Sequence, residues 1–172
     1  MIVPIILYGS PILRRNTYDI HWEDQPEEIS CNLFETLKKE QGIGLAGPQI
    51  GLSKKIFIID TTPMREENPQ FKCVEKVYIN PEIVDLGNEE VSFNEGCLSI
   101  PGIFRDLCRP DKIWVKYQNP ALETVEEKLE GLEARIFQHE YDHLDGILFT
   151  DRLPGLQKRL IQGKLNKIKR RR

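Results

Sequence analysis

The chain has no apolar run approaching the length of a membrane span, no Cys-x-x-Cys pair, and three histidines in 172 residues. A spanning helix needs about 20 apolar residues, so the first absence excludes one. The apolar opening Met1–Leu7 also lacks a basic start and a small-residue cleavage site, so it reads as an edge segment rather than a signal peptide. A cytoplasmic location is the expectation. The four cysteines, Cys31, Cys73, Cys97 and Cys108, are widely spaced in a chain large enough not to need staples, so no disulfides are expected. Three of them, Cys31, Cys73 and Cys108, read as small hydrophobes.

Acids are missing from one end. From Gln157 to Arg172 there are eight basic residues and no aspartate or glutamate, which leaves a body with 16 basic and 27 acidic residues, a formal −11. A basic end on an acidic body is either a handle for nucleic acid or an anionic surface, or a solvated, fraying tail. With 40% hydrophobic and 30% charged residues, the chain otherwise has the composition of a globular protein. Its length predicts one domain over 1–172, with the basic tail from about 157.

Two of the scarce histidines stand four apart in Gln138-His139-Glu140-Tyr141-Asp142-His143. On a helix, positions i and i+4 share a face, so both rings can reach one metal ion while Glu140 leans toward the same side. Leu132 and Ile136 lead into His139 and His143 as one stripe, and Gly146 offers a stop. This His-Glu-x-x-His pattern pairs two metal ligands with a general base, against the alternative of an amphipathic helix with solvated charges. An open catalytic site needs a third protein ligand. Beyond His143 there is neither histidine nor glutamate, so that ligand comes from upstream. His21, among Ile20, Trp22 and Glu23, has no partner spacing and reads as a surface or packing residue, leaving Cys97 in Glu95-Gly96-Cys97-Leu98-Ser99.

One sulfur and two imidazoles leave a position for water, whose pKa a bound metal lowers; Glu140 is the natural proton acceptor. A thiolate ligand means that the metal need not be zinc. Gln49 and the Leu98 backbone amide are the candidate donors for a developing oxyanion. Gln49 closes Gly42-Ile43-Gly44-Leu45-Ala46-Gly47-Pro48-Gln49-Ile50-Gly51, a stretch too rich in glycine for a helix or an interior strand and read as a backbone-exposing loop. It lacks the Lys and Ser/Thr of a P-loop, so nucleotide binding is rejected.

Around these, Asp24-Gln25-Pro26-Glu27 reads as a capped helix start, followed by the stripe Ile29, Leu33, Phe34, Leu37 and a stop at Gly42. Strands are predicted over 55–60, from Phe71 to Ile79, over 83–86, over 113–117 and over 121–129, with a loop over roughly 61–70. The fold class is α+β: antiparallel β-sheets packed around a central helix carrying the His-Glu-x-x-His motif.

Taken together, Gly42–Gln49, Glu95–Ser99 and Gln138–His143 resemble, in order, the three motifs of the peptide deformylases, over about residues 1–150. The resemblance implies a divalent metal on Cys97, His139 and His143. Ferrous iron is expected first, with Zn²⁺, Ni²⁺ or Co²⁺ as substitutes. It further implies Glu140 as acid/base and Gln49 with the Leu98 amide as stabilisers of the tetrahedral intermediate. The implied reaction removes the N-formyl group from the initiator methionine of new polypeptides and releases formate. The substrate would lie strand-like along Ile43 and Gly44, with Phe93, Glu95, Leu132 and Ile136 completing its site, and the basic end is similar in position to a family helix that docks some members on the ribosome. Gly47 departs from the family's alanine and adds backbone freedom before Gln49. A metallopeptidase and a non-catalytic ribosome-binding module with a structural metal are the alternatives; the first lacks its downstream ligand, the second a fourth.

Overall fold

The computed structural model describes residues 1–65 and 72–170. Its first long element is helix α1 (Pro26–Glu40), with acids in the first turn and Lys38 and Lys39 in the last, as the helix dipole favours. Asp24 does not cap it. Gln25, at φ 57°, holds that position, while Asp24 accepts from the His21 N–H at 2.9 Å and pairs with Lys54 at 2.6 Å. The helix also ends before Gly42, with Gln41 at φ 56° as its last turn's cap. Gly42 serves packing instead: a Cβ there would lie 2.7 Å from Leu37 Cδ1 and 3.0 Å from Leu98 Cδ1.

A five-stranded antiparallel sheet follows, in the order β1 (Gly44–Ala46), β2 (Ile56–Asp60), β3 (Glu75–Leu86), β6 (Lys112–Gln118), β7 (Thr124–Glu130). Part of the glycine-rich loop is therefore an edge strand, paired Gly44 with Ile59 and Ala46 with Phe57. The strand expected from Phe71, a residue outside the described ones, runs from Glu75, and it is continuous with the one expected over 83–86. The fusion passes through a bulge at Asn80, whose positive φ is held by its side chain: Oδ1 accepts from the Ile20 N–H at 2.8 Å and Nδ2 donates to the Ile20 carbonyl at 2.9 Å.

A second sheet, β4 (Glu90–Cys97) with β5 (Ile100–Pro110), is a hairpin that the sequence reading leaves out. Leu98 and Ser99 form its turn, between the paired Cys97 and Ile100. Helix α2 (Gly131–Leu144) lies between the two sheets. One of its faces, Ala134, Phe137 and Leu144, packs on Phe57, Tyr78 and Tyr117, with ring centroids of Phe137 to Phe57 and to Tyr78 both at 5.0 Å.

The basic end is a helix, α3 (Gly155–Lys169), with Arg171 and Arg172 outside the described residues. Ile161, Leu165 and Ile168 are buried against Ile100, Leu107 and Phe149, whereas Leu156 and Leu160 face outward. Among the described residues no helix is long and apolar enough to cross a membrane.

Candidate metal centre and active site

Cys97, His139 and His143 converge: their ligand atoms all lie within 4.8 Å of one another, and Cys97 Sγ is 3.3 Å from His143 Nε2. Two elements bring them together. The last residue of β4 supplies the thiol, and two successive turns of α2 supply the rings, both more than 90% buried.

Glu95 fixes the first ring. Its Oε2 lies 2.9 Å from His139 Nδ1, which leaves Nε2 as the nitrogen for a metal. The same carboxylate accepts from Arg109 Nε at 2.7 Å, Arg109 Nη2 at 3.0 Å and Arg135 Nη1 at 2.9 Å. Burial works to raise the Glu95 pKa, but His139 and Arg109 outweigh it and hold the carboxyl well below the usual range. Arg109 continues the network to Asp142 at 2.8 Å, and Arg152 reaches Asp142 from the half-exposed side at 2.6 Å. Arg135 also donates to the carbonyls of Leu107, at 3.0 Å, and Val91, tying the hairpin to α2. Glu95 thus belongs to the centre through His139, with both its oxygens engaged.

The donor set fits a divalent cation. Burial lowers the His139 pKa, yet its bonds with Cys97 and Glu95 more than offset this and leave it raised well above its usual value. His143 is pushed well below its usual value by burial, with the charge of His139 and Arg109 adding to it. A sulfur and two imidazole nitrogens converging in one buried cluster are a donor set that suits a divalent ion, which displaces the ligands' protons when it binds.

Glu140 sits beside this cluster, with its Oε2 buried and without a hydrogen-bond partner among the described residues. Burial raises its pKa to about 7, partly opposed by His139. Gly44 makes room for it: a Cβ there would fall 2.5 Å from Glu140 Oε1 and 2.8 Å from Ile136 Cγ2. Gln49 is 1% exposed and oriented by three contacts. Its Oε1 accepts from the Ala46 N–H at 2.8 Å, and its Nε2 faces Cys97 Sγ at 3.5 Å and Ser99 Oγ at 3.3 Å. Gly47 leaves no slack in this turn. A Cβ would meet the carbonyl oxygens of Lys54 at 2.9 Å and Leu52 at 3.1 Å, so the glycine lets residues 52–54 close over it.

A cavity of about 610 Å³ opens onto the cluster. Ile43, Gly44, Phe93, Glu95, Leu132 and Ile136 all line it, together with Gln49, Cys97, Leu98, His139 and Glu140. His21 is exposed and is not among the residues lining it. The supporting residues Arg109, Arg135 and Asp142 are absent from the sequence reading, because charged side chains carry no hydrophobic period; the only signal was the nearness of Arg135 and Asp142 in sequence to the ligands.

The family model described as polypeptide deformylase matches residues 2–159. Peptide deformylases of Christiangramia forsetii and Cytophaga hutchinsonii are 44% and 40% identical over 98% of this chain and 90% and 91% of their own length. Among solved structures, the peptide deformylase of Thermus thermophilus has a TM-score of 0.89 at 35% identity over 100% of both chains. A plant peptide deformylase has 0.86 at 34% identity, covering 96% of this chain and 88% of its own.

Proposed function

The chain belongs to the peptide deformylase family, enzymes that remove the formyl group from nascent peptides, and we propose that Cys97, His139, His143, Glu140 and Gln49 are the groups with which it does so. The observation that carries this reading is one cluster: a thiol and two imidazoles within 4.8 Å, beside a buried carboxylate whose pKa is near neutrality. Cys97, His139 and His143 would hold a divalent ion, which would supply Lewis acidity and lower the pKa of a water toward neutrality. We take ferrous iron as the resident ion, with Zn²⁺, Ni²⁺ or Co²⁺ as substitutes, since the thiolate does not demand zinc.

The remaining work falls to the chain's own groups. Glu140 takes the proton of the attacking water and delivers it to the departing amine, a task for which a pKa of about 7 is suited. Gln49 Nε2 and the N–H of Leu98, in the turn after Cys97, donate to the oxyanion that develops on the formyl oxygen. Ile43, Phe93, Leu132 and Ile136 hold the methionine side chain, and the edge strand at Gly44 receives the peptide backbone as an added strand. Glu95 acts through His139, fixing its ring, rather than on the substrate. The chain is a single catalytic domain that works in the cytoplasm, where formylated peptides emerge, and the basic outer face of α3 is its contact with the ribosome.

The test is formate release from an N-formyl-methionyl peptide by anaerobically purified, metal-quantified protein. Activity proportional to one bound metal per chain supports the reading. Silence from fully loaded protein removes it.

A further inference from the structure

Resting on the deformylase reading, we infer that Gly47 is a positioning residue for the reaction: the side chain it lacks decides where the Gln49 amide stands toward the developing oxyanion. Gly47 opens the 3₁₀ turn Gly47–Ile50. It stands between Ala46, whose N–H holds Gln49 Oε1 at 2.8 Å, and Gln49 itself. It is buried and is not among the glycines of positive φ, so the need for glycine here is one of space and not of backbone conformation.

A Cβ at this position would face two main-chain oxygens, of Lys54 at 2.9 Å and of Leu52 at 3.1 Å, so one side or the other has to move. The opposing segment is fastened from outside. The Tyr18 N–H donates to the Ser53 carbonyl at 3.0 Å, the Lys55 N–H to the Tyr18 carbonyl at 2.8 Å and the Asn80 N–H to the Lys55 carbonyl at 2.9 Å. Lys54 Nζ pairs with Asp24 at 2.6 Å, and the Lys54 carbonyl itself accepts from the Ile56 N–H at 2.9 Å, where β2 begins. The Leu52 N–H also donates to the Gly47 carbonyl at 2.9 Å, so the two sides cannot simply part. The turn therefore yields, and because Pro48 has a fixed φ, the displacement passes on to Gln49. Its amide has little to spare. Nε2 stands 3.5 Å from Cys97 Sγ and 3.3 Å from Ser99 Oγ, at the long end of hydrogen-bond reach, so a movement of a few tenths of an ångström releases it. A donor to an oxyanion works only over a narrow range of distance, which makes the fit at Gly47 a matter of rate and not only of packing.

The experiment measures kcat and KM for formate release from N-formyl-Met-Ala-Ala-Ala, per metal-loaded chain, in the native protein and in Gly47→Ala, each with Gln49 intact and with Gln49→Ala. With Gln49 present, Gly47→Ala is expected to lower kcat about tenfold at unchanged KM, a part of the roughly 10²–10³-fold that loss of one oxyanion donor costs. In the Gln49→Ala background the same methyl should change kcat by less than about twofold, because the group it displaces is gone. A merely structural role would lower the yield of folded chains and leave the rate of each unchanged. Should Gly47→Ala not fold, Lys54→Gly decides in its place: it adds no atom, frees the opposing carbonyl and should lower kcat about threefold, again at unchanged KM and only where Gln49 is present. An unchanged kcat in the deciding variant, or equal losses with and without Gln49, overturns the positioning role and leaves the deformylase intact. No formate from the loaded native protein overturns both.

Discussion

The two faces of α2 are held by different physics. Toward the five-stranded sheet, Ala134, Phe137 and Leu144 meet Phe57, Tyr78 and Tyr117 through contact area and ring packing. Toward the hairpin, Arg135, His139 and Asp142 meet Glu95 and Arg109 through directed bonds between buried charges. The apolar face is stabilising and forgiving, since dispersion and hydrophobic burial have little angular dependence. The charged face gains little net stability from its pairs, because desolvation cancels most of their attraction, but it fixes orientation closely. A metal centre needs the second property. The helix is thus anchored on one side and aimed on the other.

Substitutions separate the two roles, and the largest effect is expected where aiming meets chemistry. Glu140→Gln keeps the shape beside Gly44 and removes the proposed base, so formate release should fall by ~10²–10⁴-fold while metal per chain stays constant; undiminished turnover would place the base elsewhere. Next comes the charged face. Glu95→Ala leaves Arg109 and Arg135 buried without their carboxylate and frees the His139 ring. It should cost ~3–5 kcal/mol in denaturant unfolding and weaken metal affinity by ~10–100-fold. Metal titration of the folded variant reads the second effect separately from the first. Phe137→Leu on the opposite face supplies the contrast: ~1–3 kcal/mol of stability lost with metal affinity unchanged. If both variants weakened metal binding equally, the division between the faces would not hold.

Acid provides the gentlest probe. The Glu95 pKa is depressed in the folded state, so the unfolded chain takes up this proton first as the pH falls. Its contribution to stability is whole above the ordinary carboxylate value of 4.5 and is lost progressively below it. Glu95→Gln should therefore be less stable than the native protein at pH 7 and show a shallower loss of stability from pH 4.5 downward. Parallel acid limbs for the two proteins would mean that Glu95 is not the group responsible.

How much of this was legible follows from the same distinction. The apolar face of α1 and the existence of α2 were readable, because Leu33 and Leu37, like Leu132 and Ile136, recur at helical spacing. The grouping of Cys97 with His139 and His143 was readable from scarcity, since with three histidines in the chain and neither histidine nor glutamate beyond His143, Cys97 stood out. The β4–β5 hairpin was not. In β4, Val91 and Phe93 are 45% and 44% exposed, so that strand's alternation signals no core, and in β5 the buried Ile100, Ile103 and Leu107 stand at steps of three and four rather than at the strand period of two. A three-residue strand at Gly44–Ala46 is likewise set by its partner β2 and not by its own composition. Helix α3 had a signal that the eight basic residues masked: Ile161, Leu165 and Ile168 lie at steps of four and three. Asp24 misled because a cap and an ion-pair partner for Lys54 look alike in sequence.

The segment from Val3 to Tyr8 also links the turns at the site to the last helix. Its bonds reach Gln49 and Ser99, far ahead in the chain, and the cluster packed against Leu7 and Tyr8 contains Ile161, Leu165 and Ile168 from the last helix. Each of these closures spans a long loop, and contacts of large sequence separation form slowly. The segment from Val3 to Tyr8 is therefore placed by residues far along the chain and not by its own neighbours. The turns that carry Gln49 and Ser99 thus share one support with α3, so loss of that helix would loosen the segment that ties them together.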